Sequence, residues 1–95
     1  MAEQVTVDGK KFEGLSYSLG DKAPLLILKG SRGFLACGYI NIATAERLND
    51  AGAIVRGVKT FHDMLEAKVQ EVSSEADKIG VKAGMTGREA LALLA

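Results

Sequence analysis

The chain has 95 residues, 47% of them hydrophobic and 5% aromatic, and its 12 basic residues balance its 12 acidic ones. This length predicts one domain over residues 1–95. A formal net charge of zero lacks the basic excess of nucleic-acid-binding domains, so nucleic acid is not expected as a partner.

The sequence shows no signal for export or for membrane insertion. Met1–Gln4 has no basic flank and no long apolar stretch, so no signal peptide is predicted. No apolar run approaches the roughly 20 residues needed to cross a bilayer. The single cysteine excludes an internal disulfide framework. We therefore expect a cytoplasmic protein without a membrane partner.

Residues 1–40 predict a β-rich region built as an antiparallel meander. Val5 and Val7 alternate with polar neighbours, as in a strand with one buried face, and Asp8-Gly9 is a strong hairpin signal. A second strand opens at Phe12. Along it, three apolar side chains are expected on one face, namely Leu15, Tyr17 and Leu19.

Two further predicted strands, Leu25–Leu28 and Phe34–Ile40, are apolar on both faces. Neither alternates as a strand with one solvated face would. A chain of 95 residues with only short helices can hardly supply two covering layers. We therefore expect sheets from different subunits to pack together, so that about residues 1–40 form an oligomerisation region.

About residues 41–95 predict a helix-rich part. Asn41 is a good N-cap for a helix over Ile42–Asp50. Gly52 is expected to end that helix in a left-handed conformation. The apolar run Ala53–Val55 then predicts a strand.

Three further helix starts carry capping residues, namely Thr60 with Asp63, Ser73-Ser74, and Thr86 with Glu89. The helix after Ser73-Ser74 is expected over about Glu75–Ile79. Residues 67–73 fit both helical and strand spacing, and the new cap that follows them favours a strand. The fold class is therefore α+β, with an N-terminal antiparallel β-meander followed by short helices and one or two further strands.

Three motifs resemble a known family, namely Gly33-x3-Cys37-Gly38, Gly57-Val58-Lys59-Thr60, and Gly80-Val81-x2-Gly84-Met85-x-Gly87-Arg88-Glu89-Ala90-Leu91. The chain is similar to the YunC-like family of small bacterial and archaeal proteins, a domain of unknown function. The likeness runs from about Phe12 to Leu94. It implies an α+β fold and an N-terminal β region used for tetramerisation, and hence a homotetramer. It implies no activity.

Cys37 is the candidate catalytic residue. It precedes the helix capped at Asn41, and a helix N-terminus stabilises a thiolate. Gly38 would let a ligand approach the backbone closely. The alternative is a small core side chain, because free cysteine is among the most buried residue types.

His62 is the only histidine and could serve as a base for Cys37. The alternative is a surface position on the first turn of a short helix. With one cysteine and one histidine, no metal site is predicted within one subunit. A zinc site shared between subunits stays open, and no cofactor is predicted.

Lys59, Thr60, Gly87 and Arg88 are the candidate ligand-binding residues. Each pair lies at a helix start, where free N–H groups and a basic side chain could bind a carboxylate or phosphate. Capping accounts for Thr86 and leaves Gly87 and Arg88 unassigned, although Arg88 could simply pair with a nearby acid. Subunit interfaces often carry such pockets.

The sequence therefore predicts a homotetrameric module that is either structural or binds a small ligand. In the second case, a small anionic ligand is expected between subunits near Lys59, Thr60 and Arg88. One alternative is an enzyme that uses Cys37 as thiol nucleophile. Another is a scaffold that binds a larger protein partner. Whether the protein is an enzyme is not determined by these residues.

Overall fold

Six strands form one sheet in the order β1-β2-β3-β4-β5-β6 in the computed structural model of the chain, which describes residues 2–95. The strands are β1 (Ala2–Val7), β2 (Lys10–Ser18), β3 (Pro24–Lys29), β4 (Phe34–Ala36), β5 (Gly52–Ile54) and β6 (Glu71–Val72). The helices are α1 (Ile42–Leu48), α2 (Phe61–Glu66), α3 (Ser74–Lys78) and α4 (Gly87–Leu94). All neighbouring strands are antiparallel except β4 and β5, which are parallel.

The N-terminal meander is confirmed as β1 to β4. Its first turn is the predicted Asp8-Gly9 hairpin, in which both residues have positive φ, 51° and 82°. Two consecutive positive φ values are what a type I′ turn requires, and that turn matches the twist of the flanking strands. The α+β class and the two further strands are likewise present.

One face of the sheet is covered by α2 and α4. It carries Leu26, Leu28 and Leu35, which are fully buried. Each such side chain stabilises the fold by about 1.5–3 kcal/mol relative to an exposed position. Gly87 at the start of α4 lies against Leu35 and the Met64 carbonyl, so α4 and α2 approach each other closely.

In the described part of the chain, no helix covers the opposite face of β2 and β3. The register places Leu15 opposite Ile27 and Tyr17 opposite Leu25 on this face. Leu15, Leu25 and Ile27 are half-buried, and Tyr17 is 59% exposed. The predicted two-sided apolar character of β3 is therefore real, but only its helix-facing side is fully covered within one chain.

The first helix ends differently from the prediction. It covers Ile42–Leu48, and Asn49 takes the left-handed conformation with φ 59°. Gly52 was expected in that role, which is wrong, because it begins β5 and is buried against the ring of Phe34. Asparagine tolerates the left-handed region better than most residues, so the stop lies three residues earlier.

Two other boundaries also differ from the prediction. β4 is three residues long, so Cys37 is the first residue after the strand, and the chain turns at once because Ile40 N–H donates to the Cys37 carbonyl (3.1 Å). Thr60 caps α2 by accepting from Asp63 N–H (3.0 Å), but Asp63 accepts from the N–H of Lys59 (3.0 Å) rather than from that of Thr60.

The ambiguous segment 67–73 is extended. It contributes the short strand β6, and Ser73 caps α3 by accepting from Ala76 N–H (3.4 Å). The predicted box at α4 is complete, since Glu89 accepts from Thr86 N–H (2.8 Å) and donates its own N–H to the Thr86 hydroxyl (3.2 Å). Among residues 2–95, no helix has the length and apolar character needed to cross a membrane.

Candidate functional site

An open cleft of about 420 Å³ lies where β4 and β5 end. These two strands are parallel, and Cys37 follows one while Val55 and Arg56 follow the other. In sheets with parallel strands, ligands commonly bind outside the carboxyl ends. The cleft is lined by Lys22, Ala23, Pro24, Cys37, Gly38, Tyr39, Arg56, Gly57, Val58 and Lys59.

The lining is cationic. Lys22, Arg56 and Lys59 contribute three basic side chains, and no acidic side chain lines the cleft in the described part of the chain. Arg56 donates to the carboxylate of Glu71 at the rim. Lys22 and Lys59 form no ion pair within residues 2–95. Two ammonium groups are therefore free to meet an anion.

Cys37 lies in the wall of the cleft with only 4% of its surface exposed. Its Sγ accepts from the N–H of Leu26 (3.4 Å) and lies 3.9 Å from the Pro24 carbonyl oxygen. The thiol is thus held by the backbone of β3 rather than by another side chain. It is a free cysteine. The sequence leaves open whether Cys37 is a core side chain or a site residue, and in the structure it is both buried and part of the cleft wall.

Tyr39 connects the two sides of the cleft mouth. Its hydroxyl donates to the Ala23 carbonyl (3.4 Å), and the residue is 53% exposed. Pro24 and Val58 add apolar surface. The cleft therefore offers a ligand cationic groups, one exposed aromatic ring and a partly apolar wall, the mixture that small-molecule sites usually show.

The structure brings together Cys37 and Lys59 among the predicted site residues. Thr60 follows directly but does not line the cleft, and its hydroxyl is used as the cap of α2. Lys59 lines the cleft, and its N–H donates to the carboxylate of Asp63.

Gly87 and Arg88 do not line this cleft. Arg88 donates to Asp8 (2.7 Å), and Gly87 N–H donates to the Ala67 carbonyl (2.8 Å). A methyl group on Gly87 would overlap the Met64 carbonyl oxygen, so close packing of α4 on α2 explains this glycine. Internal contacts thus engage both residues, and their role in ligand binding stays a prediction.

His62 is exposed on the first turn of α2 and does not line the cleft. The position of His62 therefore fits the surface alternative, and the cleft's geometry gives no support to a role as base for Cys37. Within residues 2–95, no group of three or more His, Cys, Asp or Glu side chains could hold a metal ion.

The sequence does not single out three charged or aromatic residues of the cleft, namely Lys22, Tyr39 and Arg56. Arg56 carried a usable signal, since it comes two residues after the end of a short apolar strand. Recognising it required knowing that β4 and β5 are parallel, which their short lengths do not reveal. Lys22 precedes β3 and reaches the cleft only because that strand pairs with β4.

The carboxylates with a lowered pKa lie away from the cleft. Hydrogen bonds from the hydroxyl and N–H of Ser74 lower the pKa of Glu46. The N–H and hydroxyl of Thr86 lower the pKa of Glu89. Both shifts result from helix-start hydrogen bonds that favour the charged form, so they concern stability rather than the candidate site.

Known proteins resemble this chain over most of its length. A family model described as "Domain of unknown function (DUF1805)" matches residues 36–94. The uncharacterized protein YunC of Bacillus subtilis (strain 168) is 30% identical over 91 residues, which cover 92% of this chain and 89% of that protein.

A solved structure shows the same fold. It is that of TA1206 from Thermoplasma acidophilum, described as a protein of unknown function. It is 40% identical, with a TM-score of 0.92, and the match covers 100% of this chain and 92% of that one. Because the family model spans more than half of the chain and the Bacillus protein matches most of it, the chain belongs to the DUF1805 family, and the YunC-like resemblance is confirmed.

Proposed function

We propose that the protein is a binding module that holds a small anionic ligand in the Cys37 cleft, within a homotetramer assembled through its N-terminal sheet. The observation that carries the ligand proposal is the charge of the cleft. Lys22, Arg56 and Lys59 line it, and no carboxylate does so among the described residues. An uncharged or cationic ligand would leave the ammonium groups of Lys22 and Lys59 without a partner.

Phosphate or carboxylate is the group that fits this lining. Lysine ammonium groups act as mobile point charges, and the arginine guanidinium adds a planar fork that suits either anion. Each charge-assisted hydrogen bond contributes about 1.5–3 kcal/mol. Loss of one such contact should therefore weaken binding roughly tenfold or more.

The ligand proposal is tested by calorimetric titration of the full chain with phosphorylated and carboxylated metabolites, using inorganic phosphate as the simplest probe. Lys59→Gln should weaken binding roughly tenfold. Lys10→Gln is the matched control, because Lys10 is exposed on β2 and does not line the cleft. Equal affinity in the two variants, or no binding by any anion, would contradict the proposal.

The uncovered sheet face supports self-association. Leu15, Tyr17, Leu25 and Ile27 share a face that no helix among residues 2–95 covers. A contiguous apolar patch of this kind marks an interaction surface. Zero net charge also adds no long-range repulsion between copies. We assign this face, within about residues 1–40, to the tetramer interface.

The assembly is tested by multi-angle light scattering. Replacing Tyr17 and Leu25 together by Lys should yield smaller species with an unchanged far-ultraviolet circular dichroism spectrum. Leu48→Lys is the control, because Leu48 is 65% exposed but belongs to α1. A monomeric wild-type chain at micromolar concentration would contradict the assembly, as would dissociation by the Leu48 variant alone.

An enzyme with Cys37 as nucleophile is the second candidate. The specific observation in its favour is that the thiol lines the cationic cleft and accepts a backbone N–H. A reduced thiol also suits a reducing compartment, so the cytoplasm is the location we propose. Failure of iodoacetamide to label Cys37 in the native protein would exclude this candidate.

A further inference from the structure

A second cleft, of about 320 Å³, adjoins the Cys37 cleft. The two share Gly38, Tyr39 and Arg56, so they are neighbouring parts of one groove. The second part differs in charge, because it is lined by Glu71 and contains neither Lys22 nor Lys59. The groove is therefore cationic at one end and carries a carboxylate at the other.

Gly38 lies at the junction of the two clefts, and the fold itself does not require a glycine there. Its φ lies outside the left-handed region, unlike that of the neighbouring cleft residue Gly57 (φ 74°). A methyl group on Gly38 would lie 3.6 Å from the Arg56 side chain, an ordinary van der Waals contact. A glycine at this position leaves the backbone open to close approach by another molecule.

Arg56 crosses this junction. Its side chain lies over Gly38, and its guanidinium donates to Glu71. The carboxylate of Glu71 has further lone pairs beyond the one used by Arg56, and its side chain is 38% exposed. Glu71 can therefore accept a second donor, while Arg56 keeps N–H groups available for an anion.

From this arrangement we infer that the ligand is elongated and lies across Gly38. It carries a phosphate or carboxylate between Lys22, Lys59 and Arg56, and an ammonium or comparable N–H donor at Glu71. This inference rests on the proposed anion-binding function and specifies the class of its ligand. A purely anionic ligand would meet the Glu71 carboxylate unfavourably, whereas a ligand with both charges satisfies both ends.

Two probe series of increasing chain length test the inference, namely alkyl phosphates and the ω-aminoalkyl phosphates that match them in length. At the best length, the amino compound should bind the full chain about tenfold more tightly than its alkyl counterpart, as one added charged hydrogen bond predicts. Glu71→Gln should remove this preference. It should not weaken the alkyl phosphate, because Arg56 is then free for the anion.

Gly38→Ala provides an independent arm. It should leave the melting temperature within a few degrees of wild type, because the methyl group fits against Arg56, yet weaken both phosphate series. Equal binding of the two series at every length, together with full binding by Gly38→Ala, would overturn the inference and leave anion binding intact. If neither series binds, anion binding fails as well, and the inference fails with it.

Discussion

Leu26 and Cys37 are joined by two different hydrogen bonds at the end of the β3–β4 ladder. Cys37 N–H donates to the Leu26 carbonyl (3.0 Å), and Leu26 N–H donates to the Cys37 Sγ (3.4 Å). In a regular antiparallel pair, that second N–H would donate to the Cys37 carbonyl. Here the carbonyl accepts from Ile40 instead, so the sulfur replaces it. The thiol thus makes the last hydrogen bond between β3 and β4 and also lines the cleft.

The first prediction concerns this sulfur. Cys37→Ala removes the acceptor of the Leu26 N–H in a buried position, and an unsatisfied buried donor costs about 1–3 kcal/mol. Cys37→Ser keeps an acceptor and should recover part of the loss. Urea unfolding measures both effects. A Cys37→Ala variant as stable as wild type would show that Leu26 finds another acceptor.

The second prediction concerns the contact between α2 and α4. Gly87→Ala places a methyl group on the Met64 carbonyl oxygen, and backbone can relieve that overlap only by moving the helices apart. We expect a loss of about 1–3 kcal/mol, typical of overpacking, in thermal or urea unfolding. Gly20→Ala is the control, because a methyl group there meets nothing within 4 Å. Equal stability of the two variants would contradict this role of Gly87.

The third prediction concerns pH. The pKa of Glu89 is lowered below its ordinary value of 4.5 in the folded protein, by the Thr86 hydrogen bonds. On acidification the unfolded chain therefore binds this proton first. The charged Glu89 carboxylate therefore stabilises the folded protein fully above about pH 4.5. This contribution is lost as the pH falls through the pKa of Glu89 in the folded state. The pKa of Glu46 is lowered in the same direction by Ser74.

Unfolding in urea across this pH range measures the effect. Glu89→Gln should make the free energy of unfolding depend less steeply on pH below about pH 4.5. Glutamine keeps an acceptor for the cap but does not titrate. Glu3→Gln is the control, because Glu3 is an exposed residue of β1 and belongs to no helix cap. An acid limb that is equally steep in the Glu89 variant would show that this carboxylate does not contribute.

Most of the secondary structure can be predicted from short stretches of the sequence. The Asp8-Gly9 turn and the Thr86–Glu89 box depend on neighbouring residues alone, so they could be predicted from the sequence. The end of α1 could not, because glycine and asparagine both lie near it and tertiary pairing of Gly52 with Phe34 decides between them. The sequence does not reveal the end of β4, because the chain stays apolar while it turns.

The candidate site was predictable only in part. Cys37 and Lys59 could be predicted, because one is the only cysteine and the other lies at a helix start. Lys22 and Arg56 join them only through the pairing of β3 with β4 and of β4 with β5, which connects distant parts of the chain. Helix capping gives Gly87 and Arg88 no role, which is why the sequence predicts them as ligand-binding residues. Their contacts with Met64 and Asp8 come from packing that local sequence does not encode.

The cationic character of the Cys37 cleft is the central claim, and the only cysteine of the chain reports on it directly. The measurement is the ratio of the rates at which anionic iodoacetate and neutral iodoacetamide alkylate Cys37, relative to the same ratio for free cysteine. A cationic cleft predicts that iodoacetate is favoured over iodoacetamide more strongly than with free cysteine, so the relative ratio exceeds one. The ratio should fall in Lys59→Gln, which removes a positive charge. It should also fall with added salt, because screening weakens attraction between exposed charges. A relative ratio of one or less, unchanged by Lys59→Gln, would contradict it.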